Sequence, residues 1–385
     1  MPDPKDKSSV RKIRIRYRGR FSQVPIYLGK LLRMFLYQND WKVLPMAALV
    51  AGLVGLVIRR RFFYTMEGTL MSALAVTCVC IWNGCFNSIQ VICRERDVIK
   101  REHRSGMHIS SYIVSHMIYQ ALLCLLQTGI TLYVTTLVGV RYPFEGFFTH
   151  FFLVDFFISL FLITYAADMM SLWISALCRS TTTAMTVMPV VLIFQLVFSG
   201  GMMTLPERAE PITNLIISNY GLKLIAAQAD YNHLPLGSAW NTVERMKNNE
   251  IKGEVTIGQV LDFLSDEDDP TVQEIRKVEV TDEEFLLQNL TVGDLVDFIN
   301  ADEDAQELRE QTVQIDTTVG QVIQLVGEDR VRDYIVETTS ATAREDAYEL
   351  SALNIMGYWA YLILFSLGFA ALATVTLEFI DRDKR

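Results

Sequence analysis

Two apolar runs, residues 69–93 and 111–140, are each long enough to cross a bilayer, and little besides a charged stretch, Glu95-Arg96-Asp97-Val98-Ile99-Lys100-Arg101-Glu102-His103-Arg104-Ser105-Gly106, stands between them. A crossing takes about 20 mostly apolar residues. Charge so tightly flanked by spans has to sit at the membrane surface, where soluble partners reach it. The stretch is therefore the expected input point of a membrane protein.

The rest of the chain carries the same constraint. Half the residues are hydrophobic (51%), yet the formal net charge is -9, so charge and apolar sequence must be segregated. Residues 204–354 hold 11 Lys/Arg against 31 Asp/Glu, while the remainder holds 24 against 13. Six spans are expected, at residues 43–58, 69–93, 111–140, 151–177, 183–203 and 355–377. Pro189 in the fifth is tolerated as a kink. Eleven Lys/Arg before residue 43, five after the second span, Arg179 and three at the tail put both termini in the cytoplasm by the positive-inside rule. Arg59, Arg60 and Arg61 fall outside against the rule and are outvoted.

Residues 1–18 read as a basic arm. In residues 21–39 the apolar positions Phe21, Val24, Leu28, Leu31, Leu32, Phe35 and Leu36, with Lys30 and Arg33 between them, fit an amphipathic helix at the interface. With the arm, it makes up a cytoplasmic segment 1–42 before spans one to five (43–203). Residues 211–227 are apolar but too short to cross, which suits a re-entrant helix. They open an extracytoplasmic segment, 204–354, expected to be mostly helical. Span six and a cytoplasmic tail occupy 355–385.

Inside that outer segment, residues 255–339 repeat. Thr256-Ile257-Gly258-Gln259-Val260-Leu261-Asp262-Phe263 matches Thr291-Val292-Gly293-Asp294-Leu295-Val296-Asp297-Phe298, and Thr318-Val319-Gly320 starts a third time. Each Thr is placed to cap a short helix. β-like tetrads at 278–281 and 313–316 follow the first two starts. The acidic runs 266–269 and 302–304 lack the ordered ligand spacing of a calcium loop and read as a solvated face.

Chemistry of the chain's own is not evident. No G-x-x-x-x-G-K-[ST] phosphate loop occurs, no two His share metal-ligand spacing, and no nucleophile–base pair stands out, so no catalytic residue and no metal ligand is assigned. The six Cys (78, 80, 85, 93, 124 and 178) lie in or beside spans and read as small packing residues. Their absence from the outer segment leans toward a prokaryotic source.

Three passages resemble one family. Glu95-Arg96-x4-Arg101-Glu102-x2-Ser105-Gly106, followed by Ser110, Ser111, Tyr112 and Ser115, is similar to the first intracellular loop of the G-type ATP-binding-cassette exporters, the white/multidrug and sterol group. Phe198-Ser199-Gly200, Leu205-Pro206 and Ile216-Ile217-Ser218-Asn219-Tyr220 resemble that family's passage around the fifth span and re-entrant helix, with Asn219 where Pro is commoner. Residues 21–39 resemble its connecting helix. The likeness covers about residues 20–230 and 352–378. The repeat segment has no counterpart, and the ATPase that the family usually fuses to the membrane part is expected here as a separate chain.

The resemblance implies an all-α polytopic membrane protein. It would be the permease subunit of an exporter in the cell membrane, moving an amphipathic or lipid-like substrate outward by alternating access. A second, identical or different permease chain would complete a dimer surrounded by lipid. ATP and Mg would be bound by the ATPase, with no cofactor on this chain and no nucleic-acid partner. Glu95, Arg96, Arg101, Glu102, Ser105 and Gly106 would couple to the ATPase. Trp82, Asn83, Asn87, Leu192 and Leu196 would line the substrate cavity, and Gly201, Met202 and Met203 the outer gate. Asp168, in a span, is costly there and reads as a polar contact between helices or a proton relay. The rival reading is a non-transporting complex that transmits ATPase motion to an envelope protein bound by the acidic outer segment.

Overall fold

The computed structural model describes residues 19–37, 40–201, 210–265, 312–339 and 343–379, with short pieces between 273 and 297. The basic arm, Met202, Met203, and the acidic runs 266–269 and 302–304 lie outside the described residues. The chain forms two compact units, Met1–Leu234 with Ala343–Arg385, and Pro235–Thr342.

The first unit is helical. Helix α1 spans Arg20–Tyr37, α2 Val43–Ile58, α3 Met66–Ser88, α4 Val91–Arg104, α5 Ile109–Val138, α6 Phe152–Leu177, α7 Thr181–Val197, α8 Glu210–Thr213 and α9 Ile217–Gln228. Ala352–Glu378 returns to this unit as its last helix. Among the described residues five helices are long and apolar enough to cross a membrane: Asp40–Ile58, Met66–Arg104, Ile109–Val138, Phe152–Leu177 and Ala352–Glu378. The expected fifth span is a 17-residue helix, α7. At 1.5 Å per residue it reaches about 25 Å, short of the 183–203 read from composition, because Gly200 (φ 79°) turns the chain beyond Phe198.

Sequence signals explain several helix ends. The Thr65 hydroxyl accepts from Gly68 N–H to start α3, and the Ser180 hydroxyl accepts from Thr183 N–H to start α7. Gly139, at φ 98°, ends α5.

Packing centres on α3 against α6, and of α6 against the last helix. The approach of α3 to α6 is set by Gly84. A Cβ there would run into Thr164 O and lie 2.8 Å from Asp168 N. Ser171 Oγ then donates to Cys85 O at 3.1 Å across the same seam. The cysteines are free thiols, five of them buried, as packing residues should be.

Helix α9, 12 residues long and almost wholly buried, lies against α3, α6 and the last helix. The 211–227 stretch thus resolves into a short α8 and the longer α9. Gly201 is buried, and a Cβ on it would meet Leu222 Cδ2 of α9 at 2.7 Å. Gln195 accepts from Ser218 N–H at 3.1 Å and the Ser218 hydroxyl donates to Gln195 O, so the end of α7 is tied to the start of α9.

The second unit carries strands as well as helices. Besides helices Gly237–Met246 (α10), Ile257–Leu264 (α11), Val319–Val326 (α12) and Glu328–Thr339 (α13), it has four strands among the described residues. β1 (Glu250–Thr256) pairs antiparallel with β4 (Thr312–Thr318), and β2 (Glu279–Asp282) with β3 (Leu287–Thr291). The repeats explain the mixture. Strands β1, β3 and β4 each end on the Thr of a Thr-x-Gly start. Thr256 and Gln259 exchange reciprocal hydrogen bonds of 3.3 Å, and Thr318 and Gln321 form the same capping box. The second tetrad sits within β4, where it pairs with β1 across the unit. The last helix of the first unit, Ala352–Glu378, is α14; its cap is Ser351, whose hydroxyl accepts from Leu353 N–H.

Candidate functional site

The charged stretch forms α4, an amphipathic helix that follows α3 after the Ile89–Gln90 turn. Ile92 and Ile99 are seven residues apart and therefore on one face. They join Met107, Ile109, Tyr112, Met169, Leu172 and Leu377 in one buried cluster. Each buried Ile contributes about 1.5–3 kcal/mol, so α4 is fastened to α5, α6 and α14 rather than hanging from the bundle. Its far end closes with Gly106 at φ 104°, Gly106 N–H bonding His103 O and Met107 N–H bonding Glu102 O. That paired pattern is a Schellman ending. Ser105 is the cap, its hydroxyl donating to Arg101 O at 2.9 Å. Ser105 and Gly106, expected to couple to a partner, terminate the helix.

The charged members divide by direction. Arg96 turns inward: its Nη1 donates to Ala176 O and Cys178 O, both at 2.9 Å, and so closes the C-terminal end of α6. Glu95 and Glu102 turn toward α1, where Lys30 Nζ lies 3.3 Å from Glu95 and 3.8 Å from Glu102. Burial, with Glu102's negative charge adding to it, pushes the Tyr27 hydroxyl up to about 12, so Tyr27 stays neutral beside this group. Arg101 is exposed, together with Arg94, Asp97 and Arg104. At spacings of three, four and three these form a single outward stripe. Arg94 also reaches Asp40 at 3.7 Å.

Helix α1 is part of this assembly. The Gln23 amide, buried, donates to Gly106 O at 3.2 Å and accepts from His108 N–H at 2.9 Å, so it clips the turn between α4 and α5. The Ser111 hydroxyl donates to Arg20 O and that of Ser115 to Val24 O. Sequence reasoning chose Glu95, Arg96, Arg101 and Glu102 but missed Gln23, Lys30, Arg94 and Asp97. Helical period was the available signal. Positions 94, 97, 101 and 104 share a face opposite Ile92 and Ile99.

The expected cavity residues are also sorted. Trp82 is exposed and stacks on Phe86, ring centroids 5.3 Å apart. Asn83 is buried, and Asn87 is turned into the bundle, trading two amide hydrogen bonds of 2.7 and 2.9 Å with Gln127 of α5. Leu192 and Leu196 are half-buried, and the open face of α7 is carried by Val190, Ile193 and Phe194. Asp168 is fully buried. It accepts from the Ser88 hydroxyl and from Cys124 Sγ at 3.2 Å, and Gln120 Nε2 donates to Ser88 Oγ at 2.7 Å. A polar chain thus links α3, α5 and α6, which is the inter-helix contact expected of this carboxylate. Among the described residues no group of three or more His, Cys, Asp or Glu is placed to hold a metal.

A family model described as "ABC-2 type transporter" matches residues 11–214, more than half of the chain. The chain belongs to the ABC-2 type transporter family. No curated protein matches it. Membership makes this protein a multi-pass membrane permease of an ATP-binding-cassette transporter, and the family implies association with an ABC ATPase. The matched region takes in α1 through α7, and so contains the whole charged assembly of α1, α4 and the α4–α5 turn.

Proposed function

We propose that this chain is the permease subunit of an exporter related to the G-type group. Separate ATPase subunits holding ATP and Mg would drive it to move an amphipathic or lipid-like substrate outward. The reading is carried by one observation, the outward stripe Arg94, Asp97, Arg101 and Arg104 on a helix whose other sides are locked to α1 and α6. A joint that bears force needs charged contacts facing the partner and rigid attachment behind them. Lys30 and Gln23 tie it to α1, and Arg96 ties it to α6, so a displacement of α4 is passed to the membrane helices. Two copies would enclose the cavity between the open faces of α3 and α7, with Trp82, Phe86, Ile193 and Phe194 as apolar walls. The membrane is the cell membrane, with both termini cytoplasmic and α7 as a sixth span.

A mild-detergent pull-down of the native complex, with intact mass and ATP hydrolysis recorded on one sample, tests this. Two permease chains with two ATPase chains, losing assembly or hydrolysis on Arg101→Glu with Asp97→Lys, is the expected result. Recovery with no ATPase across several detergents sinks the proposal.

A second reading is favoured by the separate compact unit Pro235–Thr342. There, ATPase motion would act on an envelope protein bound to that unit rather than on a transported molecule. Deletion of residues 252–339 separates the two. Export that survives the deletion makes the unit an accessory, whereas loss of a protein partner with no export at any stage favours transmission.

A further inference from the structure

At the N-terminal end of α6 lies a cavity of about 240 Å³ that the coupling assembly does not use, lined by Glu145, Gly146, Phe147, Phe152, Asp155, Gln228 and Leu350. Its oxygen atoms are of one kind. Asp155 is 2% exposed; its Oδ2 accepts from Phe148 N–H at 2.8 Å and Thr149 N–H at 3.2 Å, while Oδ1 is buried with no partner among the described residues. Gln228, 6% exposed, spends its amide N–H on Asp155 O at 3.3 Å, and its Oε1 is buried and likewise has no partner among the described residues. Gly146 brings the loop so close that a Cβ there would meet Thr149 O at 2.5 Å and Asp155 Oδ2 at 2.9 Å. Glu145 belongs to the same lining.

Two buried acceptors without donors cost free energy on the order of 1–3 kcal/mol each. A single water can donate to both, but it leaves the buried Asp155 carboxylate without a counter-charge. A hard cation compensates charge and lone pairs together. With oxygen donors only and no nitrogen or sulfur, the set matches calcium rather than zinc or copper. We propose that Asp155, Gln228 and Glu145 form a calcium site that pins the 140–151 loop to α6 and α9. On the orientation read for the permease this site faces outward, but its existence rests on the cavity alone.

Terbium luminescence on the full-length protein in detergent tests it. Trp359 packs on Phe148 with centroids 5.2 Å apart, and Phe148 N–H in turn bonds Asp155, so Trp359 is placed to sensitise an ion here. Terbium should give Trp-excited emission that calcium displaces with an affinity in the range of about 0.1–1 mM, typical of extracellular sites. Glu145→Gln, on an exposed side chain, should weaken that affinity about tenfold through lost ligand charge. Gln228→Met should weaken it too, and Trp359→Phe should remove the emission while calcium still raises thermal stability. Emission unchanged by all three variants would place the ion elsewhere, for instance on the acidic second unit. No calcium-dependent stabilisation would leave water as the occupant. Either result overturns the proposal without touching the ATPase joint.

Discussion

Arg96 offers the sharpest separation between a residue that holds the fold and one that meets a partner. Its guanidinium donates to Ala176 O and Cys178 O at the end of α6, where the last carbonyls of a helix lack intrahelical donors. Each charge-assisted bond contributes about 1.5–3 kcal/mol net, and a buried carbonyl left bare costs about 1–3 kcal/mol. Ala176 is fully buried and Cys178 nearly so, but the site is only part-buried around the arginine, so water recovers a share. Arg96→Ala should therefore cost about 2–4 kcal/mol. Arg96→Lys, with a compact ammonium in place of the fork, should cost about half of that. The assay is thermal unfolding of the purified permease without ATPase, followed by ATPase capture at a temperature where the variant is folded. The structure requires a lower melting temperature for the isolated permease and near-normal capture. Wild-type stability with lost capture would refute the capping role and return Arg96 to the docking surface.

Other expectations are briefer. Lys30→Glu should weaken ATPase coupling, and Lys30→Glu with Glu102→Lys should recover part of it. Such partly exposed pairs contribute about 0.2–1 kcal/mol each, so the effect should shrink as salt is raised; a double variant no better than the single would disprove the pairing. Gln23→Leu removes the clip on Gly106 and His108, and hydrogen exchange across residues 104–110 should rise while the spans stay protected. Gly84→Val should destabilise the bundle by about 1–3 kcal/mol or more through overpacking against Thr164, seen as a fall in the detergent melting temperature, and an unchanged value would contradict the close α3–α6 approach. Asp168→Asn should keep ATP-driven function if the carboxylate serves only the Ser88–Cys124 contact. Abolished turnover in a fully stable Asp168→Asn protein would point to proton relay instead.

Particular residues show how far sequence reading reached. The long apolar runs and the charged stretch between the second and third were plain, because bilayer thickness sets a length that composition alone reveals. The Thr caps of the repeats were also legible, since a cap is a local hydrogen bond between Thr256 and Gln259, or Thr318 and Gln321. The β1–β4 pairing was not, because it joins residues some 60 positions apart and β propensity says little about which strand is the partner. The FSG passage was recognised by its pattern, yet the role of Gly201 as the room left for Leu222 came only with α9 in place.

The same divide runs through the charged helix. By itself the sequence determined that a charged stretch, residues 95–106, is stationed between two apolar runs, because composition and run length are properties of the local chain. Only the tertiary structure decided which charges turn inward. Arg96, Glu95 and Glu102 stand in the same charged run as Arg101. They differ because α6 brings bare carbonyls to one side of α4, and α1 brings Lys30 to another. A charge becomes structural when a distant segment supplies the opposite charge or an unpaired acceptor, and docking is left to the side that stays exposed among the described residues.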